Sequence, residues 1–443
     1  MRWTMGDESL AALIEGQASR RIYSNVMDTQ VRNIRFLLIA ISAATTAGAQ
    51  APVPIHQIGP ILASSTENVG QAITVRGTSD GHVIVGAGAR QRVYAFDSTL
   101  KSFTLVADSG AGTGIIPVRT TGVIPYLGDS TLLPDFGANA LLVLDATGKQ
   151  IRSMAPPRAQ DLMFLSLPAA FGRPGFDPKG RLIYRTQVPP NIRPAPTPAG
   201  GQKVEMVPIN PDSSPILRGD FDTRKVDTIV WLKTPTQGRM GMDMKDNPAG
   251  GPPSITMHML VNPFPMADEW ALLSDGTIAI VRSHDYHIDW VDPDGTRRSS
   301  AKMPIDWRRY TDDEKRQRVD SIKRVVDEQL KRQMSQMPPG GPQIKFDVTV
   351  VPDSEFPQFW PPIQQGSVIA DLDGRLWILP TTSTNAANGL TYDVVNRKGE
   401  VVERVQLPKD RALAGFGPHN VVYLTRNEAG KAYLERALLT GPK

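Results

Sequence analysis

The 443-residue chain carries 49 basic and 45 acidic residues, for a formal net charge of +4, and is 40% apolar. That balance describes a globular protein with a sizeable core and argues against nucleic acid or an anionic membrane surface as a partner. Cysteine is absent, which excludes disulfides, thiolate metal sites, cysteine nucleophiles and a lipid-modified N-terminal cysteine.

The first element in chain order is a leader. Downstream of Met27, Arg32 and Arg35 accompany a short apolar run from Ile34 to Ile41, and Ala47-Gly48-Ala49 gives a small-x-small cleavage pattern. The run is shorter than the ~20 residues a bilayer span needs, so no transmembrane span is expected in the mature chain. Residues 1–49 are read as an upstream segment followed by a signal peptide, with 1–26 a mis-start and the mature chain beginning near Gln50. The expected location is periplasmic or extracellular.

Across the chain 38 glycines and 38 prolines favour many turns over long helices, and beyond Gln50 one turn recurs. Ser79-Asp80-Gly81, Ser274-Asp275-Gly276 and Leu372-Asp373-Gly374 each open a β-branched, alternating run, as do the variants Gly128-Asp129-Ser130 and Asp177-Pro178-Lys179-Gly180. Each reads as a tight hairpin feeding a strand. A second strand ending in an acidic or amide residue follows: Val93–Asp97, Leu141–Asp145, Ile288–Asp292 and Tyr392–Asn396. Asp80, Asp129 and Asp177 are spaced by 49 and 48 residues, within the range of a four-stranded propeller blade.

From Asp177 to Asp275, and from Asp275 to Asp373, the spacing is 98. Each gap is read as one blade plus an insertion. The first holds a Pro/Gly segment at 188–201, then Phe221–Leu232, which reads as the outer strands of the blade begun at Asp177. The second holds a helix: Thr311-Asp312-Asp313-Glu314 is a capping box, and Val319, Ile322, Val326, Leu330 and Met334 follow at helical spacing. A sixth unit, 417–436, is short of a full blade, while Ile55–Leu62 is apolar and unclaimed. Joining these chain ends in one blade closes a ring and removes its open edges.

The expectation is an all-β chain: a six-bladed β-propeller of four-stranded antiparallel blades with an inserted α-helix near 311–336. It forms a single domain over 50–443, with insertions at about 187–215, 235–253 and 306–345. Seven blades stay open if Ser254–Val261 is a blade of its own. Over roughly residues 55 to 440 this blade grammar resembles the TolB-like/NHL-like propellers found in secreted bacterial proteins. Such a resemblance implies a fold rather than a function.

It also implies that the connection between the second and third strands of a blade faces the channel mouth. His284 and Asp285 fall on that connection. His287 and Asp289 follow on one side of the next strand, with Tyr286, Ile288 and Trp290 on the other. His284 and His287 straddle a turn and a strand, so they lack the shared face of a helical zinc motif, and no third ligand is evident. The candidate ligand-binding set is Arg90, Asp135, Asn139, Arg282, His284, Asp285 and Gln365, all on connections that should converge.

Asp268-Glu269-Trp270 reads as a solvated turn with an anchoring tryptophan, with paired carboxylates as the alternative. Gly86–Arg90 lacks the helix a phosphate loop needs, and Gly-x-Ser-x-Gly does not occur. The residues themselves call for no cofactor and no catalytic group, and metal ligands stay unknown. Likeness to lactonase-type propellers would imply channel calcium or magnesium, with Asp135, Asn139 and Asp285 as the nearest equivalents.

The expected function is therefore an exported, non-catalytic propeller that binds a small molecule or an exported protein on its channel face. The alternative is a metal-assisted hydrolase or lactonase, and a third reading is a scaffold whose partner docks on the 311–336 helix. When the chain is expressed from Met27 in a bacterium with an outer membrane, N-terminal sequencing of the exported product should begin at or beside Gln50. An uncleaved N-terminus retained in the cytoplasm would contradict the leader.

Overall fold

A computed structural model describes residues 53–70, 74–87, 92–108, 115–117, 120, 122–189, 191–196, 202–207, 209, 212–235, 240–245, 254–335, 343–383 and 387–439. The leader and Arg90 lie outside the described residues. Six four-stranded antiparallel meanders follow one another along the chain, the fifth extended by one extra strand. The first sheet is Thr74–Gly77, Val83–Ala87, Arg92–Phe96 and Phe103–Ala107; the second is Ile124–Pro125, Thr131–Asp135, Ala140–Leu144 and Gln150–Met154. The third is Gly175–Phe176, Leu182–Arg185, Ser213–Gly219 and Val226–Lys233; the fourth is Glu269–Leu272, Ile278–Arg282, His287–Val291 and Arg297–Ser299. The fifth is Ile363–Ala370, Leu376–Pro380, Thr391–Val395 and Val401–Gln406; the sixth is Arg411–Gly417, Val421–Glu428 and Lys431–Leu438, completed by Ile61–Asn68.

The recurrent turn has a physical basis. In the third sheet Asp177 Oδ1 accepts the backbone N–H groups of Lys179 and Arg181, each at 3.0 Å, and Arg181 Nε donates to Oδ2 at 2.8 Å. In the fifth, Asp371 binds the N–H groups of Asp373 and Arg375 at 3.0 and 2.8 Å, and Arg375 Nε likewise donates to it at 2.8 Å. Gly180 and Gly374 sit at φ +74° and +79°, where a side chain would be strained.

Alternate residues of each strand serve opposite faces, so every sheet feeds two apolar clusters. Ile84, Val93 and Ala95 of the first sheet pack on Leu133, Leu142 and Leu144 of the second. The other face of the second sheet, Leu132, Leu141 and Val143, meets Leu182, Tyr184 and Leu217 of the third. Ile183, Ile216 and Leu232 then meet Trp270, Ile278 and Ile280 of the fourth, and Ala279, Ile288 and Trp290 meet Val368, Leu376 and Ile378 of the fifth. Trp377, Val394 and Val405 meet Leu413, Val422 and Leu424 of the sixth. Finally Val421, Tyr423 and Leu434 return to Val83, Val85 and Tyr94 of the first. The sheets therefore close into a ring, and the fold is an all-β propeller.

The closing strand is Ile61–Asn68, antiparallel to Lys431–Leu438, with Ser65 Oγ accepting Leu434 N–H at 2.9 Å and Asn68 Oδ1 accepting Ala432 N–H at 3.0 Å. The apolar segment expected to do this divides its work. Ile55–Gln57 runs parallel to Val401–Gln406 on the fifth sheet instead.

A further five-stranded sheet, in the order Asn191–Pro196, Gln202–Val207, Met240–Lys245, Ser254–Val261 and Gln343–Val350, is assembled from three insertions. None of its described side chains belongs to the six clusters that join the ring. Ser254–Val261 is one strand of this shared sheet rather than a four-stranded unit of its own. Ser213–Gly219, whose first residues fall in the expected 187–215 insertion, is the third strand of the third sheet. The inserted helix spans Asp312–Ser335, and its capping box is present: Glu314 N–H donates to Thr311 Oγ1 at 3.2 Å and Thr311 N–H to Glu314 Oε2 at 2.9 Å. Among the described residues no helix is long and apolar enough to cross a membrane.

At the seam between sixth and first sheets, buried Tyr423 lies against two glycines. A Cβ at Gly77 would stand 2.7 Å from its hydroxyl oxygen and one at Gly417 2.8 Å from its ring. Gly77→Val should therefore overpack the seam and cost about 1–3 kcal/mol, read as a lower urea midpoint. An unchanged midpoint would mean that the seam does not hold the ring.

Candidate ligand-binding cleft

In an antiparallel sheet the start of the first strand and the end of the second lie at one edge, so links between sheets and second-to-third connections share a face. On that face the link from second to third sheet folds into two short helices, α1 (Leu162–Ser166) and α2 (Pro168–Phe171). Its start is pinned by buried Asp161, which accepts bonds from Arg158 Nε (2.6 Å), the Tyr184 hydroxyl (2.5 Å) and the Thr186 hydroxyl (3.2 Å). Its end is tied to three other sheets. Trp270 Nε1 donates to Phe171 O at 2.8 Å, Gln365 Nε2 to Ala170 O at 2.6 Å, and Arg173 Nη2 to Ala414 O at 2.8 Å. The link thus crosses the central opening.

Beside it lies a cleft of ≈ 570 Å³. Arg185, Glu269, Ile363 and Gln365, at the edges of the third, fourth and fifth sheets, form its floor. One wall is aromatic: Tyr310 stacks on Trp360 with centroids 5.0 Å apart, and Phe264 meets Tyr310 edge-on at 5.1 Å. The Arg308 guanidinium covers Trp360 at 4.4 Å. The adjoining wall is the helix α3 (Asp312–Ser335), which contributes Glu314, Gln317, Arg318 and Ser321. It is held by Arg318 Nε, which donates to Pro263 O at 3.1 Å, and by the Arg308–Glu314 ion pair.

The floor carries two buried charges. Glu269 is 4% exposed, and its Oε2 accepts the Gly366 N–H at 2.9 Å. Burial pushes its carboxyl up to about 7; the Gly366 N–H and the Arg185 charge oppose that rise, and Asp268 adds to it. Arg185 is buried too, donating from Nε to Ser214 Oγ at 2.6 Å, with its guanidinium 5.8 Å from the Phe171 ring centre. Burial lowers its pKa, against the pull of Glu269 and Asp268.

Asp268-Glu269 is therefore not a solvated turn. Both carboxylates are buried, because partners remote in sequence close around them. Asp268 accepts from Arg282 Nη1 at 2.6 Å and from the N–H groups of Lys233 and Ser283 at 2.9 and 3.2 Å. With Asp268 so committed, Glu269 is the carboxylate presented to the cleft.

Of the residues singled out from the sequence, Gln365 lines this cleft. Arg282 stands behind it, bridging Asp268 and, at 2.7 Å, Asp289. Asp285 accepts from or pairs with His287 Nδ1 at 2.8 Å, while His287 Nε2 faces Asp289 at 3.2 Å. His284 is exposed on the turn. These groups partner one another beside the cleft rather than line it. Asp135 accepts the Ala138 N–H at 3.1 Å and Asn139, at φ +52°, completes the same exposed turn of the second sheet. The six described candidates do not form one site.

Sequence reading missed Arg185, Tyr310 and Trp360. A signal was available in Phe356-Pro357-Gln358-Phe359-Trp360-Pro361-Pro362, a dense aromatic–proline run inside an insertion, where binding surfaces concentrate. Among the described residues no group of three or more His, Asp or Glu is placed to hold a metal ion.

The ring and its inserted wall define the class, a β-propeller with a cleft between its channel face and a helix. No family model matches the chain, and no curated protein does. Solved structures similar to it include a luciferin-regenerating enzyme, at 11% identity over 86% of this chain and 93% of that one, with a TM-score of 0.38. Virginiamycin B lyase from Staphylococcus aureus matches at 10% identity over 86% and 89%, with a TM-score of 0.34. Regucalcin, a calcium-binding protein from Agrobacterium tumefaciens, matches at 10% over 88% and 97%, with a TM-score of 0.35. The propeller assignment rests on the ring of sheets itself.

Glu269 also makes stability depend on pH. Its folded pKa lies above its ordinary value of 4.5, so between those values the folded state binds the extra proton. Stability should fall as pH rises from about 4.5 to about 7, then level off. Glu269→Gln should match the native chain at pH 4 and exceed it by up to about 3 kcal/mol at pH 8. A difference in urea midpoints that does not vary with pH would contradict this.

Proposed function

We propose that the protein is an exported, non-catalytic six-bladed propeller of the TolB-like/NHL-like kind that binds a small organic molecule in the cleft beneath α3. The observation that carries the reading is Glu269, a buried carboxylate with a backbone N–H as its close partner, facing a cleft with a stacked aromatic wall. Mostly apolar clefts with a few convergent polar groups are the usual form of small-molecule sites. A ligand with a flat apolar body would lie along Tyr310 and Trp360. Its donor groups would meet Glu269, and its acceptors Arg185 and Gln317. The enclosing helix favours a small molecule over a protein partner. Export rests on the leader at 27–49.

The metal-assisted alternative needs several oxygen donors gathered at the axis. The described residues do not fit it: Asp135, Asn139 and Asp285 sit on separate connections with local partners, and a guanidinium, Arg173, reaches across the opening. One observation favours a different second reading. A carboxyl near neutrality beside an arginine is suited to general-base work, which would make the cleft a site of proton transfer.

A thermal-shift screen of small aromatic amines, amides and alcohols separates these readings. Hits should raise the unfolding midpoint of the native chain and lose that effect in both Trp360→Ala and Glu269→Gln. Stabilisation that persists in both variants would contradict binding in the cleft. Turnover of a hit that disappears in Glu269→Gln would favour the proton-transfer reading.

A further inference from the structure

Arg173 is not among the cleft residues. It follows α2, enters from the third-sheet side and reaches the innermost strands across the ring. Its Nη2 donates to Ala414 O, on the first strand of the sixth sheet, at 2.8 Å. A Cβ added to Gly415 would stand 3.2 Å from its Nη1 and 2.6 Å from Val75 Cγ2, on the first strand of the first sheet. The missing side chain at Gly415 is what leaves the guanidinium room. The group lies deep in the molecule yet is not fully covered, as expected of a side chain lining a narrow channel.

Many arginines of the ring have carboxylate partners. Arg158 pairs with Asp161, Arg181 with Asp177, Arg282 with Asp268, Arg375 with Asp371, Arg404 with Asp393 and Arg411 with Glu435. Arg173 makes one hydrogen bond to a carbonyl and has no ion pair among the described residues. Burial lowers its pKa to about 10, and the one charge acting against that is the Tyr392 phenol. A guanidinium carries five N–H donors in a planar fork. Leaving most of them, and the charge, unmatched away from bulk water is costly. A small oxyanion satisfies both deficits through parallel N–H···O bonds.

We propose that the channel at Arg173 is an anion site that takes a small oxyanion, carboxylate or phosphate, on the fork of that guanidinium. The site is distinct from the cleft and does not depend on what the cleft binds.

Equilibrium dialysis of the full mature chain against radiolabelled inorganic phosphate at low ionic strength tests this, with folding followed by circular dichroism. The native chain should bind one phosphate saturably. Arg173→Met, which removes the charge, should bind at least tenfold more weakly while staying folded. Arg173→Lys keeps the charge but loses the fork and should bind several-fold more weakly; it decides the matter if the methionine variant does not fold. Competition by acetate assigns the site to carboxylates as well, and its failure restricts the site to phosphate. No saturable binding would mean that water alone solvates the guanidinium, and equal binding by the folded variants would mean an adventitious ion only. Either result overturns the proposal.

Discussion

The structure depends on one closing contact, the antiparallel pairing of Ile61–Asn68 with Lys431–Leu438. Each sheet of the ring buries both faces, and it can do so only with a neighbour on each side. Were the ring open between sixth and first sheets, Val83, Val85 and Tyr94 would face water on one side, and Val421, Tyr423 and Leu434 on the other. Two unpaired strand edges would be exposed as well. Residues from the two far ends of the chain prevent this by sharing one sheet. Closure also brings the first strands of all the sheets together, which is why Trp270, Gln365 and the Ala414 carbonyl can be bridged by a single crossing link.

The cleft is built from what the ring does not need. Insertions into connections cost little, because the entropy of closing a loop grows slowly with its length. Three of them supply the separate five-stranded sheet, α3 and the aromatic wall. Charge placement then distinguishes groups that hold the structure from groups able to meet a ligand. Asp268 and Arg282 lie at the cleft edge and satisfy each other. Their neighbour Glu269 is buried and the more distant Arg173 half-buried, each with a backbone amide or carbonyl as close partner, so each retains capacity for an incoming molecule.

Much of the ring was legible in the sequence because its determinants are local. The Asp/Gly turns repeat at blade spacing, the alternation through Tyr286, Ile288 and Trp290 matches their burial, and the Thr311–Glu314 box starts the helix where expected. The separate sheet was not legible, since its strands come from three insertions and include a parallel pairing of Ser254–Val261 with Gln343–Val350. No short-range pattern announces such a pairing. The dense polar run around His284 drew attention by its composition, yet Asp285, His287 and Asp289 are matched to one another. Asp268 and Glu269 look like a surface turn in one dimension. Their burial comes from Arg282, Lys233 and Gly366, brought up by tertiary packing.

The most direct measurement is the titration of the Glu269 side chain itself, by carbon NMR of a chain labelled at the glutamate carboxyl carbons. The signal absent from Glu269→Gln assigns the resonance. A midpoint near 7, well above those of exposed glutamates, is the predicted result. A midpoint near the ordinary 4.5 would mean that water reaches the carboxylate freely, and the cleft would lose the group on which its proposed role depends.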